Sequence, residues 1–77
     1  MSAQKIIDAR GLMPPEPMEL TIAALDDLGP DDEIVLMLYR EPFPLYGMLQ
    51  RNGYSHQAES TPDGTFHIHI RHAKRPE

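Results

Sequence analysis

Apolar residues alternate without a break from Glu33 to Tyr39: Ile34, Leu36 and Leu38 fall on one phase, Val35, Met37 and Tyr39 on the other. A run apolar on both phases predicts a strand that needs cover on both faces. Residues 5–9 predict a shorter first strand, with Ile6 and Ile7 on opposite phases. Between Pro15 and Leu28 the period lengthens, and Met18, Ile22, Leu25 and Leu28 recur at steps of four and three. That is the stripe of an amphipathic helix. Gly29-Pro30 is its expected stop, with Asp31 and Asp32 in the turn. A second helix is expected from Pro42 to about Asn52, with Leu45, Met48 and Leu49 inward and Gly53 at its end. Tyr54–Ser60 and Thr65–His72 predict a hairpin around Thr61-Pro62-Asp63-Gly64. Its apolar face takes Tyr54, His56 and Ala58 with Phe66, Ile68 and Ile70; its polar face takes Ser55, Gln57 and Glu59 with His67, His69 and Arg71. Pairing like faces requires a loop of three or five residues, because a one-residue slip would bury charge.

Strand, helix, strand, helix, strand, strand predicts an α/β two-layer sandwich, a four-stranded sheet with two helices on one face. Right-handed crossovers set the first two strands parallel. The second phase of the Glu33–Tyr39 strand is then left partly exposed or covered by another molecule. Both strand-to-helix loops, Arg10 to Glu16 and Arg40 to Pro44, leave from the carboxyl edge of neighbouring strands. Ligands usually bind at that edge in open α/β sheets.

Seventy-seven residues predict a single domain over 1–77, with a core at about 5–72 and a solvated tail at 73–77 carrying Lys74 and Arg75. A net charge of −5 argues against a nucleic-acid binder, which needs a basic stripe for phosphates. The absence of cysteine excludes disulfides and thiolate metal sites, and requires no oxidising compartment. The first residues lack the apolar core of a signal peptide, and no apolar run reaches membrane-spanning length, so a soluble cytoplasmic protein with no membrane partner is expected.

The stretch Asp8-Ala9-Arg10-Gly11-Leu12-Met13-Pro14-Pro15-Glu16-Pro17 joins the first strand to the first helix. Gly11 permits a sharp reversal, and Pro15 or Pro17 suits a first helical turn because proline has no N–H to leave orphaned. N–H groups at a helix start carry partial positive charge, a setting that turns a cysteine into a thiolate nucleophile. The stretch resembles the signature of the TusA/SirA-like sulfur carriers, Asp-x-Arg-Gly-Leu-x-Cys-Pro-x-Pro. Asp8, Arg10, Gly11, Leu12, Pro15 and Pro17 fall on that pattern, and the persulfide-carrying cysteine falls on Pro14. Without a thiol anywhere in the chain, persulfide transfer has no atom to use, and no enzymatic activity is expected. Arg40-Glu41-Pro42-Phe43-Pro44-Leu45-Tyr46, with the following Leu49 to Tyr54, resembles domain-of-unknown-function family 2249, a cysteine-less branch of TusA-like domains. The resemblance spans about residues 5–72. It implies a mixed sheet of order 1-2-4-3 with strand 4 antiparallel to the others, and it implies no activity.

Arg10 and Arg40 beside two helix starts could seat a small anion. Glu16 and Glu41 oppose that charge, and Arg10 can pair with Asp8 or with a helix-capping carboxylate. Exposed Met13, Phe43 and Leu45 would suit protein contact better. The expected recognition surface is therefore Arg10, Met13, Pro14, Pro15, Arg40 and Phe43, on a non-catalytic protein-interaction or small-ligand-binding module with an unknown protein partner and no cofactor. One alternative is a metal- or cofactor-binding protein using His67 and His69, which share a strand face, with Glu59 or Gln57 across the hairpin. Alternating polar residues on a solvated sheet explain the same pattern. Another alternative is a homodimer in which Val35, Met37 and Tyr39 cover each other across a two-fold axis. His56 is expected half-buried and hydrogen-bonded, and His72 at a fraying end. Neither a nucleophile elbow nor a glycine-rich phosphate loop is present.

Overall fold

A computed structural model describes residues 3–73; Lys74, Arg75 and the rest of the expected tail at 74–77 lie outside them. The elements are β1 (Gln4–Asp8), α1 (Glu16–Leu25), β2 (Glu33–Leu38), α2 (Phe43–Arg51), β3 (Tyr54–Ser60) and β4 (Phe66–His72). They build a four-stranded sheet of order β1-β2-β4-β3, with β1 parallel to β2 and β4 antiparallel to both β2 and β3. β2 sits in the interior, as its two apolar phases require. The register aligns Ile7 with Leu36 and Leu36 with Ile68. These residues, with Ile34, Leu38 and Ile70, meet Ala24 and Leu25 of α1 and Leu45 and Leu49 of α2 in one buried cluster. Both helices therefore cover the same face.

The expected stripe of α1 is corrected at one position. Met18, Leu25 and Leu28 do pack on the core, but Ile22 is 44% exposed while Thr21 and Ala24 are buried. Thr21 donates its hydroxyl to the carbonyl of Pro17 at 2.8 Å, so its burial strands no polar group. Apolar periodicity cannot register a face made of Thr and Ala. The end of α1 also comes earlier than expected, at Leu25. Single turns follow, with Asp27 N–H on the Ala24 carbonyl and Leu28 N–H on that of Leu25. Gly29 then serves as a point of close approach: its N–H donates to Asp32 Oδ2 at 2.9 Å, and a Cβ there would lie 2.7 Å from the same oxygen. Asp32 also accepts from the N–H of Ala3, and these two bonds hold its carboxyl below the usual carboxylate range.

The hairpin follows the expected faces. His56 pairs with Ile70 and Ala58 with Ile68, while Gln57 opposes His69 and Glu59 opposes His67. The loop between the strands has five residues, Thr61 to Thr65, closed by Thr61 N–H on the Thr65 carbonyl. Asp63 caps it from within by accepting from the Thr61 hydroxyl and the Thr65 N–H, and both bonds lower its pKa. His72 is not frayed. Its Nε2 lies 2.8 Å from the Leu28 carbonyl and its ring leans on Tyr54 with centroids 5.0 Å apart. His56 is half-buried by stacking on Tyr46, with centroids 4.1 Å apart, where a hydrogen bond was expected.

Candidate functional site

The strand-to-helix turn is built from short-range bonds. Ala9 N–H donates to the Met37 carbonyl at 2.9 Å, continuing the β1–β2 ladder past Asp8. Leu12 N–H then returns to the Ala9 carbonyl, a reversal that uses Gly11 at φ +84°. Arg10 folds back on Asp8, with Nε and Nη2 each 2.8 Å from a carboxylate oxygen and its own N–H at 3.1 Å. This two-point pair holds the Asp8 carboxyl at about 2, well below its ordinary value. Arg10 is thus neutralised by a neighbour on the strand end.

Pro14 stands two residues ahead of Glu16, the first residue of α1. The position that the resemblance assigns to a persulfide cysteine therefore does sit at a helix start. The donors expected there are largely spent. Glu16 N–H donates to the Met13 carbonyl, Glu19 N–H to that of Pro15, and Pro17 has no N–H. Met18 is left as the one unbonded donor of that turn among the described residues. In α2, Phe43 N–H donates to the Glu41 carbonyl, Leu45 N–H to that of Pro42, and Pro44 has none. Neither helix start offers the fan of free N–H groups that a small phosphate-like anion needs.

What the two loops form instead is an apolar groove of about 670 Å³. Leu36, Leu38 and Leu45 reach its floor, Leu12, Met13, Pro14 and Pro15 form one wall with Pro17 and Met18, and Tyr39 to Pro42 with Pro44 form the other. Its volume lies within the range of ligand clefts. Met13 is 74% exposed and Tyr39 59%, so the walls stand out into solvent. Arg40 forms no ion pair among the described residues. Glu41, next along the wall, accepts a hydrogen bond from the Tyr46 hydroxyl at 3.0 Å. Burial first, and the Glu41 carboxylate second, push the Tyr46 phenol up to about 12.

Of the six residues expected at the recognition surface, Met13, Pro14, Pro15 and Arg40 line the groove. Arg10 lies outside the lining and is committed to Asp8. Phe43 also lies outside it, 66% exposed at the first turn of α2, with its ring edge-on to Tyr46. Leu45 is not exposed; it is 2% accessible and belongs to the core. Sequence reasoning missed Tyr39 as a groove wall. It assigned Tyr39 to β2, whereas the strand ends at Leu38. The adjacent Arg40-Glu41-Pro42 run was the available signal, since a residue before such a run belongs to the loop.

The opposite face of the sheet is polar and internally paired. Glu33 Oε1 accepts from Gln4 Nε2 at 2.7 Å and lies 3.5 Å from His69 Nδ1, while its Oε2 accepts from Arg71 Nε at 3.0 Å. These partners, Gln4 first, lower the Glu33 pKa. His69 Nε2 lies 3.9 Å from Glu59. A shallow depression of about 360 Å³ is bounded by Glu33, Gln57, Glu59, His69 and Arg71. His67 and His69 are not brought together with a third ligand: among the described residues no group of three His, Cys, Asp or Glu could hold a metal ion. Val35, flanked in register by Ile6 and His69, is only 6% exposed without any second molecule.

The fold is that of a SirA-like protein. The crystal structure of a SirA-like protein from Desulfitobacterium hafniense superposes with a TM-score of 0.77, covering 96% of this chain and 100% of that one at 22% identity. The profile of the family described as uncharacterized conserved protein (DUF2249) matches residues 6–72, and the chain belongs to that family. No curated protein matches it. No helix among the described residues is long and apolar enough to cross a membrane.

Proposed function

We propose that this chain is a non-catalytic binding module that docks an extended apolar segment of a partner protein in the groove between its two helix starts. One observation carries the reading: the groove is walled by large apolar side chains that project beyond it, Met13 and Tyr39 on its rim and Phe43 beside it. A small molecule would be satisfied by the concavity alone. Outward-standing apolar groups are covered only by a macromolecular surface. The missing thiol, with helix starts whose donors are mostly spent, supports binding over sulfur chemistry. The lack of cysteine also suits a reducing compartment such as the cytoplasm.

The test is selection of a random-peptide display library on the immobilised protein, followed by mapping of the best peptides on amide resonances. Shifts confined to residues 11–15 and 39–45 are expected. The double variant Met13→Asp with Phe43→Asp should bind at least about tenfold more weakly while melting like the native chain. Shifts centred on His67 and His69, or a library that yields no binder, would remove the proposal.

A further inference from the structure

We infer that the segment filling the groove carries an acidic residue whose carboxylate pairs with Arg40. This rests on the reading of the groove as a protein-docking site and adds the chemistry of its occupant. Three observations converge. Arg40 lines the groove and meets no acid among the described residues. The two neighbours that could change its state are otherwise engaged: Arg10, the other cation of these loops, is held by Asp8, and Glu41 is held by the Tyr46 hydroxyl. That hydroxyl is fixed in turn, because the Tyr46 ring stacks on His56 at 8° between planes and meets Phe43 edge-on. The clamp holds Glu41 on Tyr46, and no ion pair joins it to the guanidinium among the described residues, so Arg40 is the one cation lining the groove, with the Glu41 charge beside it on the wall.

The same observations select a carboxylate over a phosphate. A guanidinium fork matches two carboxylate oxygens with parallel hydrogen bonds. A phosphate asks for further donors, and prolines and local carbonyls have removed most of them from both helix starts. The chain's net charge of −5 opposes an acidic partner at long range. Screening over about 8 Å at physiological salt makes the local cation decisive once the segment is in contact. Glu16 and Glu41 limit the acceptable charge to one carboxylate close to Arg40.

The library selection is repeated on Arg40→Gln and Arg40→Glu, both at an exposed position where folding is not at stake. Native protein should enrich apolar peptides with one acidic residue at a fixed place, and their binding should weaken from 50 mM to 500 mM salt. The glutamine variant should bind those peptides about tenfold more weakly and lose the salt dependence. The glutamate variant should enrich a basic residue at the same place. Peptides that map to the groove with no acidic preference, or with the same preference in Arg40→Gln, overturn this inference and leave the docking site standing. Loss of all groove binding in the native protein overturns both.

Discussion

On the open face of the sheet, Glu33 meets Gln4, Arg71 and His69, and Val35 beneath them keeps 6% of its surface. At the carboxyl edge, Met13 and Tyr39 stand exposed and Arg40 forms no ion pair among the described residues. Both regions are surface left over once two helices have covered one side of a four-stranded sheet. On the first, long polar side chains cover β2 and pair their charges, and the apolar surface left over is Ile6 on the edge strand, 60% exposed. The second has no such cover, because prolines fill its loops and contribute neither charge nor N–H. Large apolar groups stand uncovered side by side at the edge, and this difference supports the proposed docking site there.

The largest test of the contrast probes the sheet itself. Leu36→Ala, beneath the groove and fully buried, should cost about 2–5 kcal/mol in denaturant unfolding, whereas Val35→Ala on the opposite phase should cost about 1–2 kcal/mol. Equal losses would mean that the open face is packed as tightly as the core. The Met13→Asp and Phe43→Asp pair comes next, a large loss of peptide binding with little loss of stability. Glu33→Ala should give the reverse result: about 1 kcal/mol of stability lost with its three partners, and peptide binding at the groove unchanged. A fall in peptide affinity there would join the two regions that the geometry separates.

The smallest effect lies in the pH dependence. Asp8 has a folded pKa of about 2 against an ordinary 3.8, so its pair with Arg10 contributes stability that is present above 3.8 and lost as pH falls through about 2. Asp8→Asn should therefore be less stable than native protein at neutral pH, with the two curves converging as pH drops through that window. Parallel curves would show that the pair does not form in solution.

The sheet was legible because its signals are local and redundant. Alternation in Glu33–Leu38, matched faces in Tyr54–Ser60 and Phe66–His72, and a five-residue turn each restrict the register independently. The helix face of α1 was less legible, since Thr21 and Ala24 carry almost no hydropathy signal although both are buried. At the edge, Met13, Pro14, Pro15 and Arg40 could be named from the two loops alone. The fate of Arg10 and Glu41 could not be fixed there. Arg10 had more than one acid within reach in the sequence, and the structure sets its guanidinium and its own N–H on Asp8. The destination of Glu41 depends on Tyr46, whose orientation is set by a histidine from a different strand.

The prolines flanking Glu16 have a chemical consequence of their own. Pro17 brings no N–H, that of Glu16 is bonded to the Met13 carbonyl, and Met18 has the one unbonded donor of the turn among the described residues, while Glu16 and Glu19 add negative charge to it. A thiol grafted by Pro14→Cys would accordingly titrate near the free-solution value of about 8.5, read from its alkylation rate against pH. Pro15 and Pro17 fall on the sulfur carriers' pattern as well, so a titration at the free-solution value would assign the difference to the charges and bonded N–H groups around them.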